Sequence, residues 1–245
     1  MEGRPARQIK IAMCGRYRLT AKERSLRDHF GFDEDINWTP RWNIAPTQPI
    51  PIIRQHPKEL KRTFGLARWG LIPYWAKDAS IGFKTINGMS ETAAEKPASR
   101  DAMKHRRCLI PADGFYEWLR ISSRENQPYN FGMADGSVFA FAGLWERWRD
   151  PAGEIVETCT ILTTKPNSLI ASVHDRMPAI VSADDYDLWL DPGVSDVTPI
   201  ADLLTPFDAS LMKKYPVGPR INRPENDDAE CAREVPLKET AAKLF

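Results

Sequence analysis

Prolines set the scale of structure in this chain. Twenty are spread along its 245 residues, and each fixes φ and removes a backbone donor. Long helices and wide regular sheets do not survive that punctuation. Between the prolines, runs rich in β-branched and aromatic residues predict strands over 49–54, 63–72, 115–121, 138–145, 157–164, 177–181 and 211–217. Asp113-Gly114 and Asp135-Gly136 carry the signal for tight hairpin turns. Helices are expected to be short. Thr20-x-x-Glu23 reads as a capping box opening one that Gly31 stops. Another spans 91–107 with a break near Pro97, and Pro166 occupies the first position of a third. Two more begin at Ser182-x-x-Asp185 and Thr198-Pro199. Regular βαβ alternation is missing, which excludes a doubly wound parallel sheet. An α+β fold with a curved, largely antiparallel sheet follows. No linker divides the chain, so residues 13–236 are expected to form a single domain. Residues 1–12 read as an N-terminal extension and 237–245 as a tail.

Composition narrows the function classes. The four cysteines (Cys14, Cys108, Cys159 and Cys231) are scattered without metal-ligand spacing, so neither a zinc site nor any other cofactor is implied. Reduced thiols in a chain of this size fit a cytoplasmic location. No apolar run is long enough to span a bilayer, so no membrane partner is expected. The net charge of +1 hides an asymmetry: residues 1–120 hold 22 Lys/Arg against 13 Asp/Glu, and the remainder 12 against 20. The basic half offers a face for phosphates, and the densest cluster in it is Lys104-His105-Arg106-Arg107. A sequence pI near 7.7 speaks against tight, sequence-independent duplex binding.

Reactive chemistry concentrates at Cys14. It follows Met13 directly, and if the mature chain begins after that methionine, the cysteine carries a free α-amine beside its thiol. A 1,2-aminothiol condenses with aldehydes to a five-membered ring without any cofactor. Glu117 lies in an apolar strand between Tyr116 and Trp118, where desolvation would raise its pKa toward that of a proton shuttle. His174, in the stretch His174-Asp175-Arg176-Met177-Pro178, suits acid–base work or phosphate contact. Asn87 in Thr85-Ile86-Asn87 can orient an amine or a sugar hydroxyl, although Asn-Gly is equally a turn signal.

Cys14-Gly15-Arg16-Tyr17, Trp42-Asn43-Ile44-Ala45-Pro46-Thr47, Arg68-Trp69-Gly70-Leu71-Ile72-Pro73, Thr85-Ile86-Asn87, Pro111-Ala112-Asp113-Gly114-Phe115-Tyr116-Glu117-Trp118, Ala142-Gly143-Leu144-Trp145-Glu146, His174-Asp175-Arg176-Met177-Pro178 and Asn222-Arg223-Pro224 occur in this order. Together they make the chain resemble the SOS-response-associated peptidase (SRAP) family, over roughly residues 13–236. The resemblance implies a bifurcated sheet with a small β-barrel surrounded by short helices. It also implies an abasic-site sensor acting in the DNA damage response, whose N-terminal cysteine forms a thiazolidine with the ring-opened sugar of single-stranded DNA. On that reading Cys14 is the nucleophile and Glu117 the acid–base group. Asn87 holds cysteine and sugar, and His174 assists proton transfer. The family's peptidase label refers to self-processing at the N-terminus, and lyase activity is a natural side branch of an imine at C1′. The family commonly has an arginine two residues after the asparagine, where this chain has Met89. Arg16, Arg18, Arg68, Arg106 and Arg107 are candidates to replace that phosphate contact, and Trp69 and Trp75 to stack bases. The expected partner is abasic single-stranded DNA, bound by a monomer. Two other readings stay open: a cysteine peptidase acting on peptides in trans, and a non-catalytic single-strand binding module.

Overall fold

The computed structural model describes residues 14–237. The extension over 1–12, Met13 and the tail beyond Leu237 lie outside the described residues. Thirteen strands follow in chain order. They are β1 (Tyr17–Leu19), β2 (Arg41–Ile44), β3 (Pro49–Gln55), β4 (Arg62–Trp69), β5 (Asn87–Met89), β6 (Arg107–Ala112), β7 (Gly114–Arg120), β8 (Asn126–Met133), β9 (Phe139–Arg149), β10 (Ile155–Thr164), β11 (Met177–Pro178), β12 (Ile180–Val181) and β13 (Met212–Pro216). Four short α-helices decorate them: α1 (Glu23–Phe30), α2 (Arg100–His105), α3 (Tyr186–Leu190) and α4 (Thr198–Ala201).

The strands divide between two sheets. One has the order β13-β8-β7-β1-β2. In the other, β6, β3, β4, β10 and β9 pair in turn, and β9 pairs again with β6, so the five close into a small barrel. Closure removes the open edges that a short, twisted sheet would otherwise expose. The closing contact is the parallel pair of β4 with β10, registered Arg68 to Thr158 and Trp69 to Cys159. The loosest seam lies between β3 and β6, which pair at Ile53 and Leu109. There Pro49 and Pro51 supply no N–H to the ladder. This architecture is the expected α+β arrangement of a bifurcated sheet with a small barrel.

Both Asp-Gly turns differ from expectation. The chain at Asp113-Gly114 passes from β6 in the barrel to β7 in the second sheet, and at Asp135-Gly136 it passes back from β8 to β9. They are corners between sheets, not hairpins. Asp113 explains the first. Its buried carboxylate accepts from Thr20 N (2.5 Å), Thr20 Oγ1 (2.8 Å) and Ala21 N (3.0 Å), and it pairs with Arg18 at 3.1 Å. Gly114 is required beside it, because a Cβ there would meet Arg18 Nε at 2.5 Å. The same contacts undo the predicted capping box: Thr20 is bound to Asp113, Glu23 accepts from Ile36 N, and α1 begins without a side-chain cap. Gly31 does end α1, in the left-handed region at φ 66°. After Pro166 there are hydrogen-bonded turns and no helix, and Ser182 makes no cap bond. The strand expected over 177–181 is broken: Met177–Pro178 joins β10, while Ile180–Val181 joins β9.

Aromatic packing joins the two sheets. Tyr17 of β1 meets Trp69 of β4 and Phe141 of β9 edge-on, with centroids 5.6 and 5.8 Å apart, and Phe115 of β7 meets Phe141 edge-on at 5.9 Å. Such pairs add about 0.5–1.5 kcal/mol each beyond their area burial. They fix β1, and therefore the residues just before it, against the barrel.

Candidate functional site

Cys14 sits one turn ahead of β1, 3% exposed, with φ at 43°. A non-glycine residue in that region is held there by its surroundings. Its carbonyl faces Asn87, whose Nδ2 lies 3.5 Å away. Asn87 is placed by β5, which runs parallel to β10 with Asn87 beside Ile161. From the other sheet comes Glu117, on β7 and opposite Tyr129 of β8. Its carboxyl faces the thiol and the backbone N–H of Cys14, both of which draw its pKa down. The Tyr116 N–H donates to Arg16 O at 3.0 Å and locks β7 to the segment that carries the cysteine.

Burial is what tunes this carboxyl. Glu117 is 1% exposed, and desolvation lifts its pKa to about 7, against the opposing pull of nearby His174 and the bonds from Cys14. A group titrating near neutrality can both give and take a proton. Burial likewise drives the Cys14 thiol well above its usual range, with further upward pushes from Glu117 and a smaller downward one from Arg176. The sulfur is therefore a protonated thiol, acted on by the charges of Glu117, Arg176 and Asp175 as well as by burial.

His174 is held by its own loop. Its Nδ1 lies 3.1 Å from Arg176 N and 3.2 Å from Asp175 Oδ1. Four residues named from the sequence, Cys14, Asn87, Glu117 and His174, thus converge from four segments spread over 160 positions of chain.

Sequence reasoning passed over Arg176 as a site residue. It forms a bidentate pair with Glu91 (2.6 and 2.8 Å) and donates to Thr163 O at 2.5 Å, and its charge acts to lower the Cys14 thiol pKa. The arginine within the His174 motif was the available signal. Glu91 and Arg176 are 85 positions apart, so nothing local pointed to the pair.

Several predicted DNA contacts fall elsewhere. Trp69 is fully buried with Nε1 donating to Ile86 O (2.7 Å), so its ring is unavailable to a base. Arg107, 5% exposed, spends its donors on the carbonyls of Met103, Lys104, Trp189 and Asp191. Arg18 is tied to Asp113 and Asn130, and Arg106 to Glu146 at 2.8 Å. Those four are structural in this conformation. Arg16 is half-buried near the cysteine and donates to Gly15 O. Arg68 lies over Phe83 at 5.6 Å. Phe83 belongs to the loop between β4 and β5, which also exposes Tyr74 and Trp75 and leads into β5, whose last residue, Met89, is exposed. Hydrogen bonds between Leu71 and Thr85 close the base of that loop.

Known proteins share this pattern. The profile of the family described as SOS response associated peptidase (SRAP) matches residues 13–224. The abasic site processing protein YoqW of Bacillus subtilis is 41% identical over 221 residues, covering 89% of this chain and 98% of that protein. The abasic site processing protein HMCES of Xenopus tropicalis is 29% identical and covers 92% of this chain and 79% of its own. A crystal structure of a protein from Bacteroides thetaiotaomicron superposes with a TM-score of 0.81 at 28% identity, over 91% of this chain and all of that one.

Proposed function

The chain belongs to the SOS response associated peptidase (SRAP) family, and from that premise we propose that it processes abasic sites in DNA by covalent capture at Cys14. The observation that carries this reading is the placement of Cys14 against the buried Glu117 carboxyl, whose pKa burial lifts to about 7. In the reacting form the chain starts at Cys14, by initiation at Met13 or by removal of the residues before it. The backbone N–H that now meets Glu117 is then a terminal amine. Residues 1–13 take no part in the chemistry.

The steps balance without a cofactor. Glu117 protonates the sugar ring oxygen while the C1′ hydroxyl gives its proton to water, opening the abasic deoxyribose to its aldehyde. The terminal amine adds to C1′, and the resulting carbinolamine takes that proton on its hydroxyl and loses water to become an iminium. Sγ attacks the iminium carbon and the thiol proton passes to the Glu117 carboxylate, closing a neutral thiazolidine. The net change is one C–N bond and one C–S bond formed at C1′, with one water released. Asn87 holds the Cys14 main chain in register, and His174, near Glu117, assists the proton transfers. Alignment of amine, thiol and aldehyde is a proximity effect worth up to about 7–11 kcal/mol in ideal cases. Lyase activity would branch from the imine, which acidifies C2′ and permits loss of the 3′ phosphate.

Single-stranded DNA is the substrate this site suits. Tyr74, Trp75 and Phe83 present π-faces on the loop leading to Asn87, and base stacking on aromatic rings tolerates any sequence. A trans-acting peptidase is disfavoured by a thiol held protonated and 3% exposed, since the nucleophile of such an enzyme is the thiolate. Incubation of the chain beginning at Cys14 with an abasic oligonucleotide should yield an adduct stable to denaturing electrophoresis. Cys14→Ala should abolish it, and an adduct retained in that variant would refute the assignment.

A further inference from the structure

The barrel has two mouths, and the chemistry described above uses one of them. Asn87 lies beside Ile161 and Arg176 on Thr163, toward the C-terminal end of β10. At the opposite mouth, β3 ends at Gln55, β6 begins at Arg107 and β9 runs out through Arg147. The six steps of β3 alone separate the two by roughly 20 Å. At this far mouth is a cavity of about 380 Å³, lined by Arg54, His56, His105, Arg107, Trp145 and Arg147 among others. No carboxylate among the described residues lines it. That volume falls in the range of small-ligand sites, for which barrel mouths are a favoured location.

The cavity is built, not merely basic. Trp145 carries two guanidiniums, Arg54 at 4.5 Å and Arg147 at 5.7 Å from its ring centroid. Glu157 bridges the same two arginines from outside the cavity lining, at 2.9 and 3.0 Å. Stacking fixes the guanidinium planes, and planar forks held in this way match the oxygens of phosphate. Arg107 adds a buried charge whose donors all go to neutral main-chain carbonyls. It contributes field and leaves hydrogen bonding to its neighbours. His56 Nδ1 receives the N–H groups of Lys58 and Glu59 (3.4 and 3.2 Å), so in the neutral ring the proton sits on Nε2 as a donor. Leu190 and Pro192 give an apolar flank.

We propose that this second mouth is a binding site for a nucleotide unit, its phosphate on Arg54, Arg147 and His56 and its base along the apolar flank. The cluster Lys104-His105-Arg106-Arg107, the densest basic run in the sequence, finds its place at this site through His105 and Arg107. Two sources share this chemistry: a free nucleoside monophosphate, and a distant nucleotide of a DNA strand engaged elsewhere on the protein.

Thermal melting of the full chain with 5′-deoxynucleoside monophosphates, and binding of undamaged oligonucleotides of increasing length, separate the sources. Arg147 is 63% exposed at its side chain, so Arg147→Ala is expected to fold, and His56→Ala provides an independent second variant. A free-nucleotide site predicts a saturable rise in Tm of about 3–6 °C in the wild type, with affinity lowered about tenfold in both variants. A strand site predicts no nucleotide shift, and a several-fold loss in the variants of binding to long oligonucleotides while short ones bind as before. Absence of both effects, or a nucleotide shift undiminished in both variants, would overturn the proposal.

Discussion

The behaviour of Glu117 follows from where its strand puts it. In water its carboxyl would be ionised at neutral pH. Behind Cys14, almost without solvent contact, it holds its proton to about pH 7. The folded pKa lies above the unfolded value, so the folded state binds the proton more tightly. The associated stabilisation is complete below about pH 4 and is lost as pH rises through 7, amounting to about 3 kcal/mol. Urea unfolding at pH 5 and pH 8 should therefore show Glu117→Gln flattening the decline in stability that the wild type suffers between them. A decline of equal size in the variant would place the responsible group elsewhere. Kinetically, the same substitution should slow adduct formation by about 10²–10⁴-fold and erase the inflection near pH 7 from its pH–rate profile. A stopped-time gel assay measures both.

At the scale of elements, the site depends on a corner and a loop. Asp113 turns the chain from the barrel into the second sheet and pins the start of the domain through Thr20, Ala21 and Arg18. Removing a buried carboxylate leaves Arg18 unpaired and two main-chain N–H groups without acceptors. Asp113→Ala should cost about 3–5 kcal/mol in chemical denaturation. A loss below 1 kcal/mol would show that the corner is held by packing alone. Met89 ends β5 on the surface, two residues from Asn87. Met89→Arg should steepen the salt dependence of single-strand binding by about 0.7 in log–log slope, the signature of one added phosphate contact. An unchanged slope in filter binding would mean that DNA does not pass this edge.

Over the whole molecule, the chemistry was easier to read than the architecture. Cys14, Asn87, Glu117 and His174 stood out through the ordered set of motifs that resembles a known family, each being weak alone, and the fold brings them together. Short strands and short helices were also legible, from proline spacing and apolar runs. Barrel closure was not: it rests on a parallel pair between β4 and β10, some ninety residues apart, and no local pattern encodes such a partner. The Asp-Gly corners misled because a chain leaving one sheet for another uses the same turn residues as a hairpin. Periodicity also failed to show that Trp69 and Arg107 point inward: Trp69 ends a strand that is half-buried over most of its length, and Arg107 opens one that is buried throughout. The charge asymmetry between the halves of the sequence survives only locally. Several arginines of the basic half, Arg18, Arg62 and Arg106 among them, are consumed by ion pairs. Among the described residues no helix is long and apolar enough to cross a membrane.

Intact-mass spectrometry of the adduct, formed by the chain beginning at Cys14 on an abasic oligonucleotide, tests the central claim most directly. A thiazolidine predicts the mass of protein plus oligonucleotide less one water, with resistance to borohydride reduction because no imine remains. Cys14→Ser should still lose the water but become reducible. A borohydride-resistant adduct in Cys14→Ala, or a wild-type adduct retaining that water, would contradict capture by the paired amine and thiol.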